Sequence, residues 1–177
     1  MADPLGNIEK QLTTLRRRQA PPLDQWDPPV TGEIDILIQA DGEWRHEGAV
    51  FKREAIVELF SSILRRESDG HYYLVTPVEK WRIRVEGHAL RVIDINRDAT
   101  SGLLLATCRY GPDVPIGSEY PLQPAQDGDV PWLQCHHGLT ASLARSVWYR
   151  LVDSAEVQDG QLVLRSGDWT YLLGDAA

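Results

Sequence analysis

The stretch DGEWRHEG, at residues 41–48, indicates how the chain is organised, because the similar stretch DGDVPWLQCHHG follows at residues 127–138. After each stretch come apolar residues at helical spacing and then segments of alternating character. Five apolar helix positions of the first copy fall on apolar residues when they are moved forward by 88 positions. They are Ile56, Leu59, Phe60, Ile63 and Leu64, which map onto Ala144, Val147, Trp148, Leu151 and Val152. We therefore predict a duplicated β-β-α-β-β unit and two α+β domains in tandem.

Strand and turn signals fill in the first copy. Alternation in EIDILIQ predicts a strand with Ile34, Ile36 and Ile38 on one face. Turn residues separate it from a second predicted strand, WRHEGAVF. The helix should then run through Leu64 and end before the turn SDG at residues 68–70. Two strands, HYYLVT and KWRIRVE, complete the copy on either side of a turn that contains proline.

Segments outside the two copies add further predicted strands and an N-terminal helix. Between them, ALRVIDI and GLLLATCRY predict two further strands, and we expect a short strand near Tyr120, so the second domain should carry more sheet. At the N-terminus, Ile8, Leu12 and Leu15 have the spacing of an amphipathic helix. We place that helix at residues 3–18, and the proline-rich APPLDQWDPP after it predicts an extended tether. The predicted parts are the arm with its tether at 1–25, a first α+β domain at 26–88 and a second at 89–177.

The charge distribution limits the partners of the chain. The net charge is −8, and residues 1–22, with a basic run at 16–18, carry +2, which leaves −10 on the other 155 residues. A body this acidic repels a phosphate backbone, so we expect no binding to duplex nucleic acid, although one small anionic ligand is compatible with it. No apolar run is long enough for a membrane span and no secretory signal is visible, so we expect a cytoplasmic protein.

Cysteine and histidine residues form no metal or disulfide pattern. Cys108 and Cys135 are too few for a disulfide framework, so we expect free thiols. His46 with Glu47, and the run CHH at residues 135–137, lack the spacing of metal-ligand motifs. Neighbouring strand residues point to opposite faces, so one ion would use only alternate members of either group. We therefore predict no metal centre and no cofactor.

The turn TPVEK, at residues 76–80, is the most informative candidate site, because the second copy closes the corresponding turn with RSGD. Thr76, Glu79 and Lys80 would supply a hydroxyl, a carboxylate and an ammonium group. Such a set could hold a ligand with hydroxyl and phosphate groups. In the alternative interpretation, Pro77 sets the turn, and Glu79 and Lys80 form an exposed ion pair of little energetic value.

Further candidates lie on the two predicted helices. Arg145 and Tyr149 are four residues apart and share a helix face, whereas the first copy has Val57 and Ser61 at these positions. An arginine beside an aromatic ring could receive an anion and a ring, or it could simply lie on the tyrosine in solvent. Arg53 opens the first helix and would either serve an anion site between the domains or remain in water.

Catalytic motifs are missing from the sequence. It has no nucleophile elbow, Walker loop, dinucleotide glycine pattern or zinc-protease helix. A hydrolase or transferase would have to use Glu79 or His46 as a general base in a closed pocket, and a lone acid or histidine is weak evidence. We therefore favour a binding protein over an enzyme.

Several of these segments together resemble a known family. GEIDILIQADGEWRHEG, LFSSILRRE, YYLVTPVEKWRIRVE, GLTASLARSVWYRL and WTYLLG make the chain similar to the bacterial domain-of-unknown-function family 1285 over about residues 26–174. The resemblance implies a duplicated α+β core, a C-terminal half similar to pleckstrin-homology-like folds, a nucleotide-like ligand in the groove between domains, and a signalling role. Residues that match the family motifs are Thr76, Pro77, Glu79 and Lys80 in TPVEK, and Arg145 and Tyr149 in the second helix.

Two functional hypotheses follow. In the first, the chain is a non-enzymatic signalling or regulatory module, and Lys80, Arg53 and Arg145 neutralise the phosphate of a small anionic, nucleotide-like ligand in the groove between domains. The alternative is a protein-protein interaction module that uses an exposed sheet edge or an apolar groove and needs no small molecule.

Overall fold

A computed structural model gives the fold and describes residues 3–15, 21–125 and 130–176. Its helices are α1 (Pro4–Leu15), α2 (Glu54–Ser61) and α3 (Arg145–Asp153). Its strands are β1 (Val30–Ile38), β2 (Trp44–His46), β3 (Ala49–Val50), β4 (Leu64–Arg66), β5 (Tyr72–Val75), β6 (Lys80–Val85), β7 (Leu90–Arg97), β8 (Leu104–Cys108), β9 (Val114–Ile116), β10 (Leu122–Gln123), β11 (Trp132–Gln134), β12 (Thr140–Leu143), β13 (Glu156–Gln158), β14 (Gln161–Ser166) and β15 (Trp169–Asp175). The chain divides into unit 1, Met1–Ala89 with His137–Leu139, and unit 2, Leu90–His136 with Thr140–Ala177.

Unit 1 is built on one six-stranded sheet in the order β3-β2-β1-β6-β5-β4. The pairing of β1 with β6 is parallel, and the other neighbouring strands are antiparallel. As the alternation predicts, Ile34, Ile36 and Ile38 of β1 are buried. The helix α2 buries Phe60, and α1 buries Ile8 and contacts α2, so both helices contribute apolar side chains to the core of this unit.

The helix α2 is shorter than the apolar spacing predicts. It ends at Ser61, and the prediction that it continues through Leu64 is wrong. Leu64 instead opens β4, which pairs with β5 across the turn SDG. The hydroxyls of Ser61 and Ser62 donate to the carbonyl oxygens of Glu58 and Leu59, which is the local bonding that makes serine a poor residue for a helix interior.

The second predicted strand, WRHEGAVF, is two short strands. A tight two-residue turn at Glu47 and Gly48 divides it into β2 and β3, which pair through His46 and Ala49. Glu47 and Gly48 have φ values of 49° and 79°. Two consecutive left-handed residues are what a two-residue hairpin turn requires, because that geometry matches the twist of the flanking strands.

Unit 2 contains two sheets. The larger has the order β10-β11-β12-β7-β8-β9, with β7 parallel to β12, and the smaller is the antiparallel sheet β13-β14-β15. The extra strands predicted between the two copies are present as β7 and β8. Two short strands, β9 and β10, stand where a single one was expected near Tyr120.

The predicted tandem α+β architecture with a duplicated unit is confirmed. Each copy has an antiparallel strand pair, a helix and three antiparallel strands: β2, β3, α2 and β4–β6 in the first, and β11, β12, α3 and β13–β15 in the second. Each therefore has one strand more than predicted after its helix. The turn HEG and its counterpart HHG also share a conformation, because His137 and Gly138 have φ values of 54° and 71°. The copies differ in pairing: β6 joins the sheet of β1, whereas β13–β15 form a sheet of their own.

The N-terminal segment is more ordered than a tether. A 3-10 helix forms at Leu23–Gln25 and Leu23 is buried, which differs from the extended chain that the prolines predict. The amphipathic helix is present as α1, while the basic run at residues 16–18 lies outside the described residues. Among the described helices, none combines the length and the apolar character needed to cross a membrane.

Candidate functional site

The register of three strands in unit 1 collects charged side chains on one face. Arg65 in β4 pairs with Tyr73 in β5, and Tyr73 pairs with Arg82 in β6. Paired residues of antiparallel strands point to the same face, so these three side chains lie side by side. Lys80 is two residues before Arg82 in β6 and therefore shares that face.

Lys80 is the most enclosed charge on this face. Its Nζ atom lies 3.0 Å and 3.2 Å from the two carboxylate oxygens of Glu67 and 3.3 Å from Oδ1 of Asp27. The same atom lies 5.6 Å from the centroid of the Tyr73 ring, within the range of a cation–π interaction. Only 8% of the Lys80 side chain is exposed, so these contacts replace nearly all of its hydration.

Arg65 binds the backbone of the segment that precedes β1 and holds it next to Lys80 and Glu67. It donates to the carbonyl oxygens of Leu23 and Trp26 at 2.8 Å and 2.9 Å, and to Glu67 at 2.5 Å. Its Nη2 atom also lies 3.9 Å from Oδ1 of Asp27. A planar guanidinium with several fixed donors suits this combination of carbonyl and carboxylate acceptors.

We call Asp27, Arg65, Glu67 and Lys80 the ion cluster. The side chains of Arg65 and Glu67 are 14% and 21% exposed, whereas that of Asp27 is 86% exposed. The two positive charges are therefore nearly buried, and one of their two carboxylate partners stands almost entirely in solvent. The two positive charges, on Arg65 and Lys80, are balanced by Glu67 and Asp27. Without Asp27, the ion cluster would carry one net positive charge.

Tyr73 links the cluster to a further carboxylate. Its hydroxyl donates to Oδ2 of Asp69 at 2.7 Å, and this hydrogen bond lowers the pKa of Asp69 below its ordinary value. The same bond, together with burial, raises the pKa of the Tyr73 hydroxyl. Asp69 thus stays ionised and Tyr73 stays protonated at neutral pH, so the ring under Lys80 is neutral.

The structure places Thr76, Glu79 and Lys80 in one turn but gives each its own partners. The buried Thr76 hydroxyl oxygen accepts from the amide of Glu79 at 3.0 Å, which closes the turn. The carboxylate of Glu79 accepts from Gln11 of α1 at 3.2 Å and from Trp81 at 3.5 Å. Of the three residues, Lys80 alone is a member of the ion cluster.

The remaining predicted site residues of unit 1 have contacts of their own. The ring of His46 lies 6.0 Å from that of Phe51, and Arg53 precedes α2, exposed, with Glu9 at 3.4 Å. Arg145 and Tyr149 are exposed on α3 of unit 2. In the described parts of the chain, no group of three or more His, Cys, Asp or Glu residues is placed to hold a metal ion.

Sequence reasoning missed three of the four members of the ion cluster. The apolar spacing predicts that Arg65 and Glu67 belong to the end of a helix. In a helix, residues two positions apart do not share a face, so that prediction does not bring their side chains together. Asp27 lies in the proline-rich stretch that the sequence predicts to be extended, at the very start of the first predicted domain. The only available signal was that LRRE, read as a strand before the SDG turn, puts Arg65 and Glu67 on one face.

Unit 2 brings its two cysteines together. Cys108 ends β8, Cys135 follows β11, and both are buried free thiols. A hydrogen bond with the Cys108 thiol, followed by burial, raises the pKa of the Cys135 thiol far above its ordinary value. Its Sγ atom also lies 3.6 Å from the carbonyl oxygen of Leu133.

We expect neither thiol to react with an aromatic disulfide reagent in the native protein at about pH 8, where an ordinary exposed cysteine is partly thiolate. Both Cys108 and Cys135 should react once denaturant exposes them. The release of the coloured thiol is measured against time with and without guanidinium chloride. Rapid reaction of either cysteine without denaturant would contradict the burial that the structure shows.

Comparison with known proteins places this fold in a family. A family model described as "Domain of unknown function (DUF1285), N-terminal domain" matches residues 21–88. A second, "Protein of unknown function (DUF1285), C-terminal domain", matches residues 89–173. No curated protein matches the chain.

Two solved structures are similar to this chain. A DUF1285 family protein from Silicibacter pomeroyi DSS-3 has 34% sequence identity and a TM-score of 0.81, and the match covers 99% of this chain and 97% of that chain. A DUF1285 family protein from Shewanella baltica OS155 has 28% identity and a TM-score of 0.57, with 68% of this chain and 91% of that chain covered. Because both family models match and a solved member aligns over nearly the whole length, the chain belongs to the DUF1285 family.

Proposed function

We propose that the protein is a non-enzymatic regulatory module that binds a small anionic ligand at the ion cluster of unit 1. The observation that carries the proposal is the asymmetry of the cluster. Lys80 and Arg65 are nearly buried, yet the second carboxylate that balances them, Asp27, is 86% exposed. Nearly buried cations with one exchangeable anionic partner have the composition of an anion-binding site.

The geometry suits an oxygen of a phosphate group. Oδ1 of Asp27 lies 3.3 Å from Nζ of Lys80 and 3.9 Å from Nη2 of Arg65, so a single anionic oxygen contacts both cations. Glu67 neutralises one positive charge and leaves the other for this oxygen. Since the chain beyond residue 22 carries −10, attraction of an anion has to come from such a local charge and not from the overall field.

The family resemblance supports a nucleotide-like ligand and a signalling role, and we propose that the protein acts in the cytoplasm. A nucleotide presents a phosphate together with a planar base and sugar hydroxyls. We propose that its phosphate meets Lys80 and Arg65. Thr76, Glu79, Arg53 and His46 of unit 1 stay proposed ligand contacts. Arg145 and Tyr149 of unit 2 remain proposed as a receptor for an anion and a ring.

Titration of the isotope-labelled protein with inorganic pyrophosphate and adenosine monophosphate tests this proposal. We expect saturable amide shifts, centred on the residues around Asp27, Arg65 and Lys80. Lys80→Gln should abolish them, because it removes a cation of the site. Arg84→Gln is the matched control: Arg84 is on the same strand, β6, but is exposed and pairs with Asp35.

If Lys80→Gln does not fold, the pattern of amide shifts in the wild-type protein still tests the site. Shifts that spread over the surface without saturating, or that centre elsewhere, would exclude the ion cluster as the site. Equal binding by well-folded Lys80→Gln and Arg84→Gln variants would do the same.

A partner-protein role is the second candidate, supported by the C-terminal sheet β13-β14-β15. Its strands expose Val157 and Leu172 at 64% and 54%. Within the described residues, β13 pairs with β14 on one side and has no strand on its other side. Cross-linking in cell extract should capture proteins with the wild type that a Val157→Glu, Leu172→Glu variant does not capture. Identical captured sets would exclude this surface.

A further inference from the structure

We infer that the carboxylate of Asp27 is a built-in competitor, which occupies the position of the ligand's anionic oxygen and must leave when the ligand binds. This inference rests on the proposed function of the ion cluster. It adds a regulatory element to that site, because the affinity for an anion then depends on a residue that does not itself contact the ligand.

The contacts of Asp27 fit this role better than a structural one. Its ion-pair partners among the described residues are Lys80 and Arg65, and both retain Glu67 when Asp27 is removed. Arg65 also keeps its hydrogen bonds to the carbonyl oxygens of Leu23 and Trp26. Loss of the Asp27 carboxylate therefore leaves a held, nearly buried cluster with one uncompensated positive charge.

The surroundings of Asp27 restrict how it can leave. The carbonyl oxygen of the preceding residue, Trp26, is bound to Arg65, and Pro28 and Pro29 follow with fixed φ angles. Leu23 is buried a few residues earlier. The backbone is thus held on both sides, and rotation of the exposed carboxylate about its own side-chain bonds is enough to release the two cations.

The chain contains a matched control in the same segment. Asp24 is also an aspartate with a side chain that is 86% exposed, but it pairs with Nδ1 of His137 at 3.2 Å and has no contact with the ion cluster. Asp24→Asn and Asp27→Asn change the net charge by the same amount within one short segment of the sequence. Only the second removes the competitor.

Calorimetric titration with inorganic pyrophosphate at fixed ionic strength compares the wild type with these two variants. We expect Asp27→Asn to bind roughly tenfold more tightly than the wild type, because the negative charge of Asp27 and its two ion pairs no longer oppose the ligand. Asp24→Asn should bind within about twofold of the wild type, since its charge is farther from the bound anion and is screened by salt.

The outcomes separate this inference from the proposed function. Wild-type binding that is unchanged or weakened in Asp27→Asn would overturn the competitor role and leave the anion site in place. An equal gain in both variants would overturn it as well, because the gain would then come from net charge. The absence of saturable binding by all three proteins would overturn both.

Discussion

Replacing Lys80 by methionine should lower the free energy of unfolding by about 3 kcal/mol, because breaking a nearly buried ion pair leaves Arg65 as the remaining cation of the ion cluster for two carboxylates, Glu67 and Asp27. Lys80 holds both oxygens of Glu67, which is only 21% exposed, and also contacts Asp27. Methionine keeps most of the length and apolar stem of lysine. The loss therefore reports the charge and its hydrogen bonds more than a change in packing.

Urea unfolding followed by circular dichroism measures this loss, and Arg84→Met provides the control. Arg84 lies on the same strand, but its pair with Asp35 is 66% and 54% exposed, so the cost should stay below about 1 kcal/mol. Adding Glu67→Gln to Lys80→Met should recover part of the stability, because Arg65 then faces one carboxylate, Asp27, and the excess negative charge of the ion cluster is removed. Equal costs for Lys80→Met and Arg84→Met would show that burial of the ion cluster contributes nothing to stability.

Gly138→Ala should cost about 3 kcal/mol, while the equivalent change in the first copy, Gly48→Ala, should cost about 1 kcal/mol. Both glycines have positive φ values, 71° and 79°, where an L-residue pays about 1–2 kcal/mol. Only Gly138 has a close neighbour: a Cβ atom there would lie 2.8 Å from the carbonyl oxygen of Arg66, whereas nothing lies within 4 Å of one at Gly48. Overpacking against backbone adds about 1–3 kcal/mol.

Thermal and urea unfolding of the two glycine variants measure how much stability each loses. The comparison shows whether the positive φ alone, or also the close neighbour of Gly138, requires glycine. If both lose the same stability, the conformation of the repeated turn is the whole reason for its glycine. If Gly138→Ala loses about 2 kcal/mol more, contact between Gly138 and β4 is the additional reason, which distinguishes the second copy from the first.

Most of the secondary structure was predictable, because its signals are local. The alternation in β1 and the glycine turns act over a few residues, and the repeat of the pattern at a spacing of 88 positions exposes the duplication. The end of α2 was not predictable from apolar spacing. Ile63 and Leu64 satisfy a helical period as well as they satisfy a strand, and pairing of β4 with β5 decides between the two.

The candidate site was predictable only in part, for a related reason. TPVEK marked Lys80 as unusual, but it suggested a trio with Thr76 and Glu79, and the structure gives those residues other hydrogen-bond partners. Similarly, Cys108 and Cys135 are 27 residues apart in sequence and carry no spacing motif, yet they meet inside unit 2.

Periodicity, glycine positions and motifs are properties of neighbouring residues, so the tandem α+β plan, the duplicated turns and the family could all be inferred from the sequence. Which charged side chains contact one another depends on the folded chain. Lys80 binds Asp27, which is 53 residues away in the sequence, and Arg65 binds the carbonyl oxygen of Leu23, which is 42 residues away. Such partners depend on strand register and on the path of the N-terminal segment, and a shift of one residue would turn Lys80 to the opposite face of the sheet.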